Sequence, residues 1–148
     1  ANLRGANLRG ANLRGANLGG ANLGGANLGG AKNAALAWAK TIITPEGELT
    51  GWKKLGNASG ALAKLQIPTD AKRSSAAGRK CRAEYVKVLE LIGLPDGETI
   101  GKSTIDAPVT AEYRVGEITR CDSWCADRWQ ECAGGIHFYL TREEAAAH

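Results

Sequence analysis

Four cysteines and one histidine have the most obvious capacity for chemistry in this chain. Cys121, Cys125, Cys132 and His137 follow one another with the spacing C-x3-C-x6-C-x4-H, and Cys81 lies upstream. Thiolate and imidazole groups are the usual ligands of zinc, which binds four of them in a tetrahedron. The spacing is irregular and lacks a C-x2-C knuckle, so these are weak metal candidates, and we expect no cofactor. Thiols, a zinc site and a disulfide formed in an oxidising medium stay open as alternatives.

A second set of residues would suit a nucleotide-dependent enzyme. His137 lies in GGIHFYL, which is typical of a strand, and Tyr113, Arg114 and Glu117 lie upstream. A catalytic base needs a partner and a pocket, and a histidine held by a core hydrogen bond is the alternative. The sequence contains no nucleophile elbow and no phosphate-binding loop, so we predict that the protein is not an enzyme.

The densest basic run lies in the middle of the chain. It consists of Lys72, Arg73, Arg79, Lys80 and Arg82. Small residues at 74–78 separate these charges, as in a flexible loop, and no acidic residue interrupts the run. These residues are candidates for contact with a polyanion, although a solvated loop is the simpler interpretation. No aromatic residue is interleaved for base stacking, so a nucleic-acid partner is not favoured.

The first thirty residues repeat a five-residue unit. ANLRG occurs three times from Ala1, and ANLGG three times from Ala16. A period of five fits neither a helix of about 3.6 residues per turn nor a strand that alternates every two residues. A corner at the permissive fifth glycine would instead direct every leucine and alanine inward. The predicted interior residues are Leu3, Leu8, Leu13, Leu18, Leu23, Leu28, Ala1, Ala6, Ala11, Ala16, Ala21 and Ala26.

The motif A-N-L-x-G resembles the pentapeptide-repeat family, whose pattern is A-(D/N)-L-x-x. This resemblance implies a right-handed quadrilateral β-helix with four repeats per coil. It also implies that leucine and alanine point inward and that asparagine lies outside or near the corner. A glycine-rich disordered tail is the alternative, but regularly spaced apolar pairs would then serve no purpose.

Residues 1–30 would form only about one and a half coils of such a β-helix. Repeat units bury little surface alone, so we expect a longer helix or pairing with another subunit. The terminal coil would be a sheet edge that invites pairing. Arg4, Arg9 and Arg14 are expected to form a basic rim, which either contacts an anionic partner or, as we favour, discourages stacking.

After residue 30 the period is lost. Residues 31–40 are expected to cap or link the repeats, with Trp38 as a plug, and residues 41–148 to form an α+β domain. Strands are predicted at 41–44, 49–55, 61–67, 81–92, 111–119 and 136–140, with a short helix as the alternative over 81–92. Thr141, followed three residues later by Glu144, forms a capping box that predicts a C-terminal helix.

This domain also resembles a known one. The similar segments are ELTGWKKL, QIPTDAKRSSAAGRKCRAEYVKVLEL, EYRVGE and DRWQECAGGIHFYLTREEA. They resemble an uncharacterised domain found behind pentapeptide repeats in bacteriophage and prophage proteins, over most of residues 48–147. The resemblance implies no activity and favours a phage product. Cys81 and Cys132 belong to its pattern, whereas Cys121 and Cys125 depart from it.

Bulk composition limits the class of protein further. The net charge is +4, of which +3 lies in residues 1–30, and no apolar run approaches the ~20 residues that cross a bilayer. No signal peptide is visible, so we expect no membrane partner and synthesis in the host cytoplasm, with a place in the virion as an option. The chain lacks Met, so either an initiator was removed or further repeats precede Ala1.

These observations together predict a mainly β protein, with a right-handed quadrilateral β-helix followed by a small α+β domain. The predicted function is that of a non-catalytic bacteriophage structural or interaction protein, associated with a virion or tail. Its predicted partners are other copies of itself, bound through the β-helix, and other virion proteins. The alternatives are an inhibitor of a host DNA-handling enzyme such as a topoisomerase, and a small nucleotide-dependent enzyme in residues 41–148.

Overall fold

The computed structural model describes residues 1–103 and 111–148. In the repeat segment, parallel bridges join residues that are 20 positions apart: Asn2 to Asn22, Asn7 to Asn27 and Asn12 to Lys32. Each bridge consists of two backbone hydrogen bonds; Asn22, for example, donates to Ala1 O at 2.9 Å and accepts from Leu3 N at 2.8 Å. We refer to residues 1–20 as the first layer and to residues 21–32 as the second layer.

Glycine and asparagine shape each five-residue unit. The glycine at the fifth position has a positive φ in all six repeats, from 64° at Gly30 to 72° at Gly10. Residues with a Cβ avoid this region. The chain turns at each of these glycines, as the sequence predicted. The asparagine side chain stays outside and accepts a bond from the amide two residues later, as from Arg4 N to Asn2 Oδ1 at 3.1 Å.

Leucine and alanine of the repeats share one apolar cluster. Leu23 is only 1% exposed, and Leu13, Leu18 and Ala21 are also buried. The other repeat leucines and alanines that contact this cluster are half-buried: Leu3, Leu8, Leu28, Ala11, Ala16 and Ala26. Ala6 is half-buried too, but Ala1 is exposed, because no described residue packs over the start of the first layer. This corrects the expectation that all twelve residues are interior.

The repeats end in a short helix, α1 (Ala34–Ala39). Asn33 precedes it in the left-handed conformation with φ 55°, which turns the chain out of the ladder. Ala34 and Ala37 are the buried residues of α1, whereas Trp38 is half-buried beside the cluster. The cap is therefore made by small alanines, and the predicted plug, Trp38, packs at its side.

The C-terminal part is built from short antiparallel strands. They are β1 (Leu49–Lys54), β2 (Leu62–Ile67), β3 (Arg73–Ser75), β4 (Cys81–Ala83), β5 (Tyr85–Ile92), β6 (Gly101–Lys102), β7 (Glu112–Tyr113), β8 (Ile118–Arg120) and β9 (Ile136–Phe138). Over the described residues, the sheet orders are β1-β2-β5-β8, β3-β4-β9 and β6-β7. Residues such as Leu65, Val86 and Phe138 are fully buried in one core between them.

Three predicted strands differ from the observed ones. Residues 41–44 are not a strand; Ile43 N bonds to the Ser75 side chain instead. The 81–92 strand is divided at Glu84, because β4 pairs with β9 while β5 pairs with β2 and β8. The 111–119 strand is divided into β7 and β8 by a turn in which Gly116 has φ 85°.

The predicted C-terminal helix is present as α2 (Arg142–Ala147). Thr141 Oγ1 accepts from Glu144 N at 3.2 Å, and the Glu144 carboxylate accepts from Thr141 N at 3.2 Å, which completes the capping box. Both described helices have six residues, so neither is long enough to cross a membrane.

Candidate interaction surfaces

The first layer presents an open backbone edge. Its residues on either side of each asparagine direct their carbonyl or amide groups to the second layer, as Ala6 O and Leu8 N do. Successive residues of a strand point these groups to opposite sides, so the asparagine amides and carbonyls face away from the second layer. The described part of the chain offers no backbone partner there to Asn2, Asn7 or Asn12. The first layer can therefore accept another strand.

The apolar interior is also open at this edge. Leu3 of the first layer is half-buried, whereas Leu23, 20 positions later, is 1% exposed; Leu8 and its counterpart Leu28 are both half-buried. Leu13 and Leu18 of the first layer are already buried. A further layer of the same repeats would cover the exposed parts of Leu3 and Leu8.

The rim of the repeats carries only positive charge. Arg4, Arg9 and Arg14 are exposed, as are Lys32 and Lys40. The first acidic residue in the sequence is Glu46. The whole repeat segment and α1 therefore favour anionic over cationic neighbours.

A groove lies between the third repeat and α1. Arg14, Gly15 and Ala16 form one wall, and the side chains of Leu36 and Lys40 line the other, around a volume of about 410 Å³. Leu36 is 66% exposed, although it is a large apolar residue. Sequence inspection missed this groove, because only the folded path of 31–40 brings these residues beside the repeat.

The C-terminal domain contacts the repeats on the side away from this groove. Gly20 N donates to Ala77 O, and Ala77 and Trp129 pack on the repeat cluster. Arg128 fixes this junction, because its guanidinium donates to Ser75 O at 2.9 Å and to Thr41 Oγ1 at 2.8 Å. Burial lowers the pKa of Arg128. Repeats and domain are thus in direct contact.

The basic run does not form the flexible loop that the sequence predicted. Arg82 is 2% exposed, and its guanidinium donates to the carbonyls of Cys125, Asp127 and Gly134 at 2.7–2.9 Å. Arg73 is half-buried and donates to Pro68 O at 2.6 Å. Both arginines belong to strands and bond to backbone carbonyls within the fold. The prediction that Arg73 and Arg82 contact a polyanion is therefore wrong.

The other members of the run are nearer the surface. Arg79 bonds to the Glu144 carboxylate at 2.5 Å, and this contact lowers the pKa of Glu144. Lys80 Nζ lies 3.5 Å from Cys132 Sγ, and the side chain of Lys72 is exposed. The five candidates therefore have five different surroundings and do not form one basic face.

The cysteines are four free thiols at different depths. Cys81 is buried, Cys121 and Cys125 are half-buried, and Cys132 is exposed. Among residues 1–103 and 111–148, no group of three or more His, Cys, Asp or Glu side chains could hold a metal. Burial raises the pKa of the Cys81 thiol to about 12, so this group stays protonated at neutral pH.

The residues of the enzyme alternative lie at different depths. His137 is 5% exposed and its Nε2 lies 3.0 Å from Ala133 O, while Tyr113 is fully buried. Buried Lys53 lies between them, with Nζ 3.2 Å from His137 O and 5.8 Å from the centre of the Tyr113 ring. Glu117 is exposed in the turn before β8. His137 and Tyr113 thus lie in the core, where solvent does not reach them.

Comparison with known proteins matches both parts of the chain. Residues 1–32 match the model described as pentapeptide repeats (8 copies). No curated protein and no solved structure matches the chain. Residues 39–145, which are most of the chain, match a family of unknown function, DUF5758. The matched domain follows directly after the repeats. Because this match covers most of the chain, the chain belongs to the DUF5758 family.

Proposed function

We propose that this chain is a non-catalytic interaction protein of a bacteriophage, whose repeat segment pairs end to end with further pentapeptide repeats. The observation that carries this proposal is the open edge of the first layer, where the amides and carbonyls of Asn2, Asn7 and Asn12 face outward. Exposed strand edges with unpaired backbone groups are templates for pairing. The partner layer is supplied by a second copy or by a longer array.

A four-sided right-handed β-helix is the arrangement that best explains the repeats. Bridged residues are 20 positions apart, which corresponds to four five-residue units per coil. Each unit ends at a glycine with positive φ, and the leucines and alanines meet in one cluster. These features agree with the fold expected for the pentapeptide-repeat family.

In this proposal the C-terminal domain closes one end of the stem. Ala34 and Ala37 of α1, together with Ala77 and Trp129, pack on the repeat cluster. Capping units of this kind stop a solenoid from growing at the end they cover. Growth or docking is therefore directed to the first layer. The phage assignment itself rests on the resemblance of residues 48–147.

The topoisomerase alternative agrees less well with the charges. An inhibitor that imitates DNA needs an extended acidic surface, whereas residues 1–45 contain five basic residues and no acidic one. A gyrase supercoiling assay with the purified chain separates the two functions, and the present proposal expects no inhibition.

Sedimentation of variants at Asn7 tests self-pairing. Asn7→Pro removes the outward amide and places a ring at the edge, while the bonds between the layers use Ala6 O and Leu8 N instead. Asn7→Ala is the matched control: it loses the side-chain bond to Arg9 N but keeps the outward amide. We expect oligomers for the wild type and for Asn7→Ala, and monomers for Asn7→Pro.

Circular dichroism of each variant establishes that the fold is retained. A wild type that is monomeric at every concentration, with slowly exchanging repeat amides, would overturn the self-pairing proposal. Equal dissociation of both Asn7 variants would also count against it, because the backbone edge would then not be what pairs.

A further inference from the structure

The ladder between the two layers stops before the first layer ends. Gly5 N donates to Gly24 O at 2.9 Å and Gly10 N to Gly29 O at 3.0 Å. By the same register Gly15 N would need the carbonyl of residue 34, which is the first residue of α1. Among the described residues, no backbone carbonyl accepts from the Gly15 amide, so this N–H is an unpaired donor at the edge.

The next carbonyl of the same edge is left in the same way. Ala6 O and Ala11 O accept from residues 21 positions later, Asn27 and Lys32. Ala16 O would need the amide of residue 37, which lies inside α1. A donor and an acceptor, Gly15 N and Ala16 O, thus stand next to each other where a strand of the second layer would continue.

This segment forms a wall of the groove described above. The volume of about 410 Å³ falls within the usual range of binding clefts, about 300–1,000 Å³. A Cβ built on Gly15 would meet no atom within 4 Å. Leu36, at 66% exposure, and Ala16 provide apolar surface in the same groove. An extended chain can therefore lie beside residues 15–16 and place an apolar side chain against Leu36.

Charge selects the kind of chain that fits. Arg14 and Lys40 line the groove, and no acidic residue is among its lining residues. Both side chains are exposed, so they are available to carboxylates of a partner. Opposite charges at the rim of an interface raise the rate of encounter and select the partner.

We propose that this groove binds an extended acidic segment of a partner protein by strand addition. The segment runs parallel to residues 15–18, accepts from Gly15 N and donates to Ala16 O. One of its apolar side chains packs on Leu36, and flanking carboxylates contact Arg14 and Lys40. A peptide fits better than a nucleic acid, because the groove offers a backbone donor, a backbone acceptor and apolar surface but no aromatic platform.

This site is separate from the self-pairing edge at Asn2, Asn7 and Asn12, so either proposal can fail without the other. Its test uses an array of peptides of about seven residues in which Glu or Asp alternates with Val, Ile, Leu or Phe. Hydrogen exchange of the Gly15 amide provides a local readout. In the free protein we expect fast exchange at Gly15 and slow exchange at Gly5 and Gly10, and protection of Gly15 when the peptide binds.

Two pairs of variants identify the groove. Arg14→Glu is expected to weaken binding about tenfold, and Arg9→Glu, at the same repeat position outside the groove, much less. Leu36→Ser is expected to weaken binding similarly, whereas Val115→Ser, which removes a similarly exposed apolar side chain, leaves it unchanged. Methylation of the peptide's backbone amides is expected to abolish binding, because strand addition needs them.

The proposal is overturned if no peptide of the array binds, or if Gly15 is already protected in the free protein. Equal losses for Arg14→Glu and Arg9→Glu would indicate unspecific attraction. Displacement of the peptide by a short single-stranded DNA would assign the groove to nucleic acid. Protection of Gly15 that rises with protein concentration alone would assign it to a second copy of the chain.

Discussion

Trp38 and Trp129 meet edge to face, with ring centres 6.5 Å apart and ring planes at 65°. Trp38 belongs to the helix that ends the repeats, and Trp129 to the loop that precedes β9. Both pack on the repeat cluster, so this contact joins the two parts of the chain. It predicts that the stability of the repeats depends on a residue about one hundred positions away in sequence.

Trp129→Ala is expected to lower the free energy of unfolding by about 2 kcal/mol, because a half-buried indole and an aromatic pair are lost. It should also speed hydrogen exchange at Gly5 and Gly10. Trp52→Ala, which removes a half-buried indole in β1, is the matched control and should leave exchange in the repeats unchanged. Equal effects of both variants on the repeats would refute the role of the junction.

Arg82→Lys is expected to destabilise the fold by about 2–3 kcal/mol, because a lysine cannot make the three forked bonds to backbone carbonyls. The substitution would also remove the cation–π contact in which Arg82 Cζ lies 5.2 Å from the centre of the Trp124 ring. Urea unfolding measures the loss. Arg79→Lys, on the exposed arginine of the same basic run, should change stability by no more than about 0.5 kcal/mol.

The pKa of Cys81 makes stability depend on pH in the alkaline range. Burial raises the pKa from 9.0 to about 12, so the folded state holds this proton more tightly than the unfolded state. The resulting stability is fully present below pH 9 and is lost as the pH rises toward 12. Urea midpoints between pH 8 and pH 11 should fall less steeply for Cys81→Ala than for Cys132→Ala.

The same difference predicts thiol reactivity. At pH 8 a thiol reagent should modify exposed Cys132 rapidly in the native protein and Cys81 only after unfolding. Rapid modification of Cys81 in the folded protein would contradict its burial.

Thr141→Ala is expected to cost about 1 kcal/mol, because it removes the oxygen that accepts from Glu144 N at the start of α2. The fully buried Ala145 ties α2 to the rest of the domain, so the loss should appear in global unfolding. Thr141→Ser keeps the oxygen and should retain nearly the wild-type midpoint. A midpoint equally low for serine would point to the methyl group instead.

The repeat segment could be predicted because its pattern is local. The five-residue period, the corner glycines and the inward leucines each follow from neighbouring residues, and the capping box at Thr141 is also a local signal. Ala1 is exposed although it occupies an inward repeat position, because burial there needs a neighbouring layer. The repeat itself cannot indicate what lies beside it.

The C-terminal domain was harder to predict because distant residues decide it. The charge of Arg82 suggests exposure, and only the carbonyls of the loop at 125–134 turn it into a core residue. The division at Glu84 depends on which strands pair with β4 and β5. The groove at Gly15 exists because α1 replaces the continuing ladder, and the only sequence signal was the loss of the period after residue 30.

Gly24 differs from Gly19 and Gly29, the other glycines at the variable repeat position, because it lies beneath the C-terminal domain. A Cβ at this buried position would make ordinary contacts, 3.4 Å from Gln130 Oε1 and 3.7 Å from Trp129 O, but a longer side chain would have to displace these neighbours. Arg4 lines a pocket together with Trp129 and Gln130 but is itself exposed, as are Arg9, Arg14, Gly19 and Gly29. A residue larger than glycine at position 24 would accordingly strain the junction between the repeats and the domain, whereas positions 19 and 29 should accept one, as positions 4, 9 and 14 do.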